Sequence, residues 1–263
     1  VGFAIEDQIA ITISQPLATQ EVYGANSRLE LAHLERIYQK WQVEKLMQQG
    51  VSAIDPNRLD IRGTVQSGMD TTIDVNVILE GEVTIGAHCY IGPGCQIINT
   101  TIEDHTIIKA NSYIEGATIA KHATIGPFAR IRENTTVGKG AKIGNFVEVK
   151  KTQIGAGSKI NHLSYIGDST LGQEVNIGAG VITCNYDGAT KHHTSLEDNC
   201  FIGSNAQLVA PVSIGKGATV GAGSTITKDV PTGGLAIARQ PQKLIENWQR
   251  PQKTQKAKEK VES

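Results

Sequence analysis

Aromatic residues make up only 5% of the 263 residues, with two tryptophans, and methionine is equally scarce at two. Large side chains usually fill the centre of a compact globule, so this scarcity points to a thin core instead. Four cysteines, Cys89, Cys95, Cys184 and Cys200, form no Cys-x-x-Cys pair. They do not read as a disulfide framework in a chain of this length, and they are expected to be free thiols in a reducing cytoplasm. No uninterrupted apolar run reaches about 18 residues, and the first residues lack the charged-then-apolar order of a secretion signal. The expectation is a soluble cytoplasmic protein without membrane insertion. The formal net charge of −1 leaves no global basic surface for nucleic acid, so any anionic ligand must be met by a local cluster.

What the chain has in quantity is glycine, 28 residues, and a repeat. Apolar residues recur every six positions at Ile73, Leu79, Ile85, Ile91 and Ile97, then at Ile102, Ile108 and Ile114, and then from Ile119 through Ile125, Ile131, Val137, Ile143 and Val149. Ile154, Ile160 and Ile166 follow, then Leu171 and Ile177, and a second run extends from Leu196 through Ile202, Leu208, Ile214 and Val220 to Ile226. A step of six is neither the period of a helix nor the alternation of one strand, but it suits short strands separated by turns, three to a triangular coil. The shortened steps, 97 to 102, 114 to 119, 149 to 154 and 166 to 171, all fall at one corner of such a prism. A solenoid must keep each coil's apolar residue stacked on the one below, and random sequence would not place its deletions so. The fold expected is therefore all-β, a parallel β-helix.

Calling the faces A, B and C in chain order places Ile119, Val137, Ile154 and Leu171 on A, Ile125, Ile143, Ile160 and Ile177 on B, and Ile131, Val149, Ile166 and Thr183 on C. Residues 184–195, CNYDGATKHHTS, carry seven residues more than the repeat needs and must leave the prism as an external loop. Ahead of the repeat, Ser27 can cap a helix whose apolar positions are Leu29, Leu31, Leu34, Ile37, Tyr38, Trp41 and Leu46, with Gly50 as its stop. This long α-helical arm is expected to cover one end of the prism, though a coiled-coil segment would have similar spacing. The chain starts at Val1 in what reads as the middle of a domain, which suggests a fragment of a longer polypeptide. The expected divisions are a remnant at 1–28, a helical linker arm at 29–49, the β-helix at 50–239 and a tail at 240–263, its Lys-rich end disordered.

Residues one coil apart lie about 4.8 Å apart, so the faces sort polar residues into columns. Arg132 and Lys150 follow the C-face residues of consecutive coils, and like charges stacked so closely call for an anion. Two places after the B-face residue runs Pro127, Asn145, His162, Ala179, and one place before the C-face residue runs Arg130, Glu148, Tyr165, Ile182. His162, Tyr165, Glu148, Lys150, Arg132, Asn176 and Asn185 at the loop base then share one edge about 14 Å high. A neutral His beside a phosphate-binding Arg and Lys suits proton removal from an amine attacking an acyl group. The plain alternative is a surface histidine on a solvated face. Glu148 is expected to orient His162. His88, His105 and His122 also stack, but a straight outward column does not converge on a metal. His192 and His193, beside Lys191, read as a basic patch rather than a metal pair.

The segments IGPFARIR, GNFVEVKK, NHLSYIGD, VNIGAGVITCNYDG, GSNAQLVAPVSIGKGATVGAGS and AIARQPQ resemble the bifunctional N-acetylglucosamine-1-phosphate uridyltransferase/glucosamine-1-phosphate acetyltransferases, over about Tyr23 to Trp248. The hexapeptide repeat alone marks a broad acyltransferase superfamily, whereas NHLSYIGD with ITCNYDG is specific. The resemblance implies a left-handed β-helix, a homotrimer with sites between subunits, acetyl-CoA as donor and glucosamine-1-phosphate as acceptor. It implies His162 as base, Arg132 and Lys150 on the sugar phosphate, and Tyr165 and Asn176 on the sugar. Acetyl-CoA contacts fall on Ala179 (backbone), Asn185, Tyr186, Ser204, Ala222 and Arg239, with Lys191 assisting. The motif YGANSR resembles the end of the uridylyl half, where Asn26 would bind Mg2+; the Gly-rich nucleotide loop of that half is absent from this sequence.

Overall fold

The computed structural model describes residues 2–10 and 12–251. From Ser52 onward the chain winds into a left-handed parallel β-helix whose strands are mostly two to four residues long. Every strand ladder is parallel, and the apolar columns stack in register. Ile125, Ile143, Ile160 and Ile177 are consecutive partners on face B. Ile119, Val137, Ile154 and Leu171 pair on face A, and Ile131, Val149 and Ile166 on face C. Face B forms an eleven-stranded sheet, while faces A and C merge into one of fifteen strands. They merge because segments such as Glu148–Ile154 and Tyr165–Leu171 run round the shared corner without a break. This is the corner that carries the shortened steps.

The interior explains the composition. Almost every coil contributes three large aliphatic side chains, nearly all fully buried, with Thr183 standing in the face C column instead of one. Two positions earlier on each face stand small inward residues such as Ala123, Ala141, Ser158 and Cys200, so no space remains for an aromatic ring. Cys89, Cys95 and Cys200 occupy these small-residue columns, and burial pushes their thiols up, that of Cys95 to about 11. Burying each isoleucine contributes roughly 1.5–3 kcal/mol, repeated coil after coil. The turns are equally periodic, since one position at each of the A–B and B–C corners has positive φ. Gly140, Gly157 and Gly217 take it at A–B, and so do His88, His105 and His122. His is one of the few non-glycine types tolerated there. The three imidazoles stack in parallel, with centroids 4.9 and 5.0 Å apart, and present no convergent ligand set.

The helix preceding the coils spans Arg28–Gln48, with the Ser27 hydroxyl accepting from the Glu30 N–H at 3.2 Å. Gly50 leaves it with a φ of 94°. Its buried side differs from the apolar pattern expected: Gln39, Val43 and Leu46 are buried, while Leu29 and Leu31 face solvent. Gln39 can be buried because its amide bonds both the N–H (2.6 Å) and the C=O (2.8 Å) of Ile61, pairing with the backbone of the first long strand, Leu59–Ser67. The helix therefore covers the end of the prism through one polar anchor and two aliphatic ones. Among the described residues no helix is long and apolar enough to cross a membrane. Residues 240–251 are irregular and exposed, and the Lys-rich remainder of the tail lies outside the described residues.

Candidate active site

The strand Lys159–His162 ends with His162 directly above Asn145 of the coil below. His162 Nδ1 lies 2.9 Å from Asn145 Oδ1. With the amide oxygen accepting, the ring proton sits on Nδ1 and the Nε2 lone pair is free to act as a base. Glu148 does not fill this orienting role. Its carboxylate bonds Arg132 Nη1 at 3.0 Å, so it serves the cation column and not the imidazole. The columns had placed both residues near His162, and only Glu148 was expected to orient it. Side-chain reach decides between them, because Glu148 leaves the outer surface of face C toward Arg132.

Arg132 and Lys150 stack as expected, and the external loop adds a third cation. Lys191 approaches Lys150 closely enough to push its ammonium below the ordinary lysine range, with Arg132 adding to the effect. Glu148, at 3.0 Å, and Glu133, at 3.9 Å, both sit against Arg132, so the cations left most open to an anion are Lys150 and Lys191. Glu148 and, less strongly, Glu133 raise Arg132 in turn.

Tyr165 pairs with Glu148 in the coil below, and its hydroxyl receives a long bond, 3.4 Å, from Asn185 Nδ2. The same Nδ2 donates to Asp168 at 2.6 Å. Gly167 leaves room for this meeting, since a Cβ there would stand 2.5 Å from the Tyr165 hydroxyl and 2.8 Å from Asn185 Nδ2. Beyond Asn185 the loop folds on itself: Asp187 accepts from the N–H of Ala189 and Thr190 at 2.8 and 2.7 Å, and pairs with His192 Nε2 at 2.6 Å. Tyr186 projects from the loop, 60% exposed.

Ala179 stands one coil above His162, and the Asn205 N–H donates to its carbonyl. Ser204 and Ala222 continue upward, and the Arg239 guanidinium donates to the Ala222 carbonyl. The structure thus aligns His162, Ala179, Ser204, Ala222 and Arg239 along the edge between faces B and C. Asn176 stands apart from that edge, on face B between Lys159 and Phe201. Asn26 lies at the start of the helix, its backbone N–H donated to Glu30, several coils from His162.

Sequence reasoning assigned no role to Asn145, Asp168 or the corner ladder Phe128, Phe146 and Leu163. The ladder occupies the positive-φ position that other coils give to Gly94, Asn111, Gly180 and Asn205. The two Phe rings stack at 5.4 Å, and all three side chains are about half exposed or more. Bulky apolar residues in left-handed backbone are unfavourable, and three on consecutive coils beside His162 were a readable signal.

These features define a class, a hexapeptide-repeat β-helix with an imidazole at one edge of face C and a cation cluster on the outer side of that face. The family model described as the GMPPB C-terminal domain matches residues 61–139 and 117–195, and that of the hexapeptide repeat of succinyl-transferase matches 193–228. The bifunctional protein GlmU of Marinobacter nauticus is 54% identical over 96% of this chain, and that of Acinetobacter baumannii 54% over 97%. That of Francisella philomiragia is 53% identical over 96%. The chain spans 56% of each of these relatives' length. It belongs to the hexapeptide-repeat family of the GlmU proteins.

Proposed function

We propose that this chain transfers acetyl from acetyl-CoA to the amine of glucosamine-1-phosphate, giving N-acetylglucosamine-1-phosphate and CoA. The observation that carries the reading is His162, tied to Asn145 at 2.9 Å at one edge of the face whose outer side carries Arg132 and Lys150, with Lys191 brought to Lys150 by the loop. The cluster takes the sugar phosphate, Tyr165 and Asn176 contact the sugar, and the amine is presented to the thioester. Its nitrogen attacks the carbonyl carbon while His162 Nε2 accepts the proton. The C–S bond then breaks and the CoA thiolate takes up a proton. No covalent acyl-enzyme is required. Acetyl-CoA runs up the edge from Ala179 past Ser204 and Ala222, with Asn185 and Tyr186 on its flank and Arg239 on a CoA phosphate.

The chain acts as a homotrimer with the site between subunits, a reading supported by the exposed ladder at Phe128, Phe146 and Leu163. Helix Arg28–Gln48 is the arm that joins it to a UTP-dependent uridyltransferase domain, for which Asn26 would help to hold Mg2+. The product serves cytoplasmic UDP-N-acetylglucosamine synthesis, for peptidoglycan and lipopolysaccharide. Thiol release from acetyl-CoA in the presence of glucosamine-1-phosphate tests the reading, with His162→Ala expected to lower kcat by roughly 100-fold or more. Normal turnover by that variant would remove His162 as base, and selective use of a different acceptor would replace the substrate.

A further inference from the structure

Asp168 is the only aspartate or glutamate among the buried residues described, 7% exposed, and its φ is +48°. It sits at the corner where strand Tyr165–Leu171 turns from face C to face A. One carboxylate oxygen accepts from Asn185 Nδ2 at 2.6 Å, and the other faces Lys151 Nζ at 3.7 Å. Lys151 is largely solvated, so the shorter, buried bond is the dominant one. Asn185 is itself 7% exposed and closes the base of the external loop, where its carbonyl also accepts from the His192 N–H at 2.8 Å. Its amide reaches the Tyr165 hydroxyl across the gap that Gly167 leaves open.

We propose that Asp168 is a positioning residue for acceptor binding: through Asn185 it fixes both the Tyr165 hydroxyl and the root of the loop that brings Lys191 to Lys150. An uncharged amide between two hydroxyl or amide neighbours could rotate freely, whereas a buried carboxylate accepts only, and so obliges Asn185 to turn its NH2 inward. Asn185 Nδ2 then offers its second hydrogen to Tyr165, whose hydroxyl proton is left to donate outward to the sugar. The inference rests on the acetyltransferase reading for its substrate but not for its geometry.

The test uses Asp168→Gly, which removes the carboxylate while tolerating positive φ, and Asp168→Asn, which keeps an accepting oxygen at the same place. Asp168→Gly should lower kcat/KM for glucosamine-1-phosphate on the order of 10- to 100-fold. Most of that loss should appear in the KM for the sugar phosphate, and Asp168→Asn should recover the larger part. Because Asp168 acts through Asn185, the double variant Asp168→Gly/Asn185→Ala should be no worse than Asn185→Ala alone. Additive losses in the double variant, or an Asp168→Gly enzyme with wild-type KM, would overturn the proposal. A crystal structure of Asp168→Gly should show Asn185 and Tyr165 turned away with the coils unchanged, and unmoved side chains would also overturn it. A wild-type chain that acetylates nothing would remove the acetyltransferase reading instead, and the crystal structure would still decide whether Asp168 positions Asn185.

Discussion

His162 takes its orientation from an amide rather than a carboxylate, and that choice has a kinetic consequence. Asn145 Oδ1 holds the ring in one tautomer without placing a full negative charge against it. An aspartate there would stabilise the imidazolium, so the base would stay protonated to higher pH. Asn145→Asp should therefore move the acid limb of the kcat/KM profile upward by about one unit, and Asn145→Ala should lower kcat with that limb in place. Steady-state rates between pH 5.5 and 9 measure both; an unmoved limb in Asn145→Asp would show that the side chain does not face the ring in solution. His162 itself was legible in the sequence because columns follow from the repeat. Its partner was not, because a column gives neighbours both along and across the strand, and the length and direction of each side chain select among them. Glu148 reaches Arg132 and the shorter Asn145 reaches the imidazole.

The external loop is built differently from the coils that carry it. Coils are held by stacking, so their backbone pairs with the turns above and below, whereas Asp187–His192 is held by its own bonds, three to the Asp187 carboxylate and others from the Asp187 N–H to Thr190 and the His192 N–H to Asn185. The Thr190 N–H, then His192 and the Ala189 N–H, hold the Asp187 carboxyl well below its ordinary value. Its contribution to the closed loop is complete above the unfolded carboxylate range of about 4 and is lost as pH falls through the lower folded value. The loop should thus stay closed through mild acid in the native chain. Asp187→Ala should open it at every pH, seen as faster amide exchange at Ala189 and Thr190 with exchange in the coils unchanged. Equal protection in that variant would mean that other contacts close the loop. The sequence marked this segment as an insertion and read His192 and His193 as a basic patch; that Asp187 takes up His192 was not legible, because such bonds follow local turn chemistry that the six-residue period does not encode. The same limit applied to the helix. Its spacing predicted the element, but which face is buried depends on Gln39 finding the Ile61 backbone, and no apolar pattern could announce that.

At the scale of the molecule, a β-helix with open flat faces resists unfolding coil by coil but has no reason of its own to stay single. Ile and Val columns already bury its interior, so apolar residues left outside are surplus to folding. Phe128, Phe146 and Leu163 are such residues, on three consecutive coils at a backbone position that favours Gly and Asn. Each adds backbone strain of roughly 1–2 kcal/mol, which apolar contacts between copies in the proposed assembly would offset. If those contacts hold the copies together, Phe128→Asp with Phe146→Asp should yield monomers by sedimentation velocity. Their far-ultraviolet circular dichroism should match the wild type, since both side chains point away from the core and Asp tolerates positive φ. Acetyl transfer should fall with assembly, although neither residue is assigned a role in the chemistry. A variant that assembles as the wild type does would place any subunit contact on another face, and one that is monomeric yet fully active would show that a single chain completes the site.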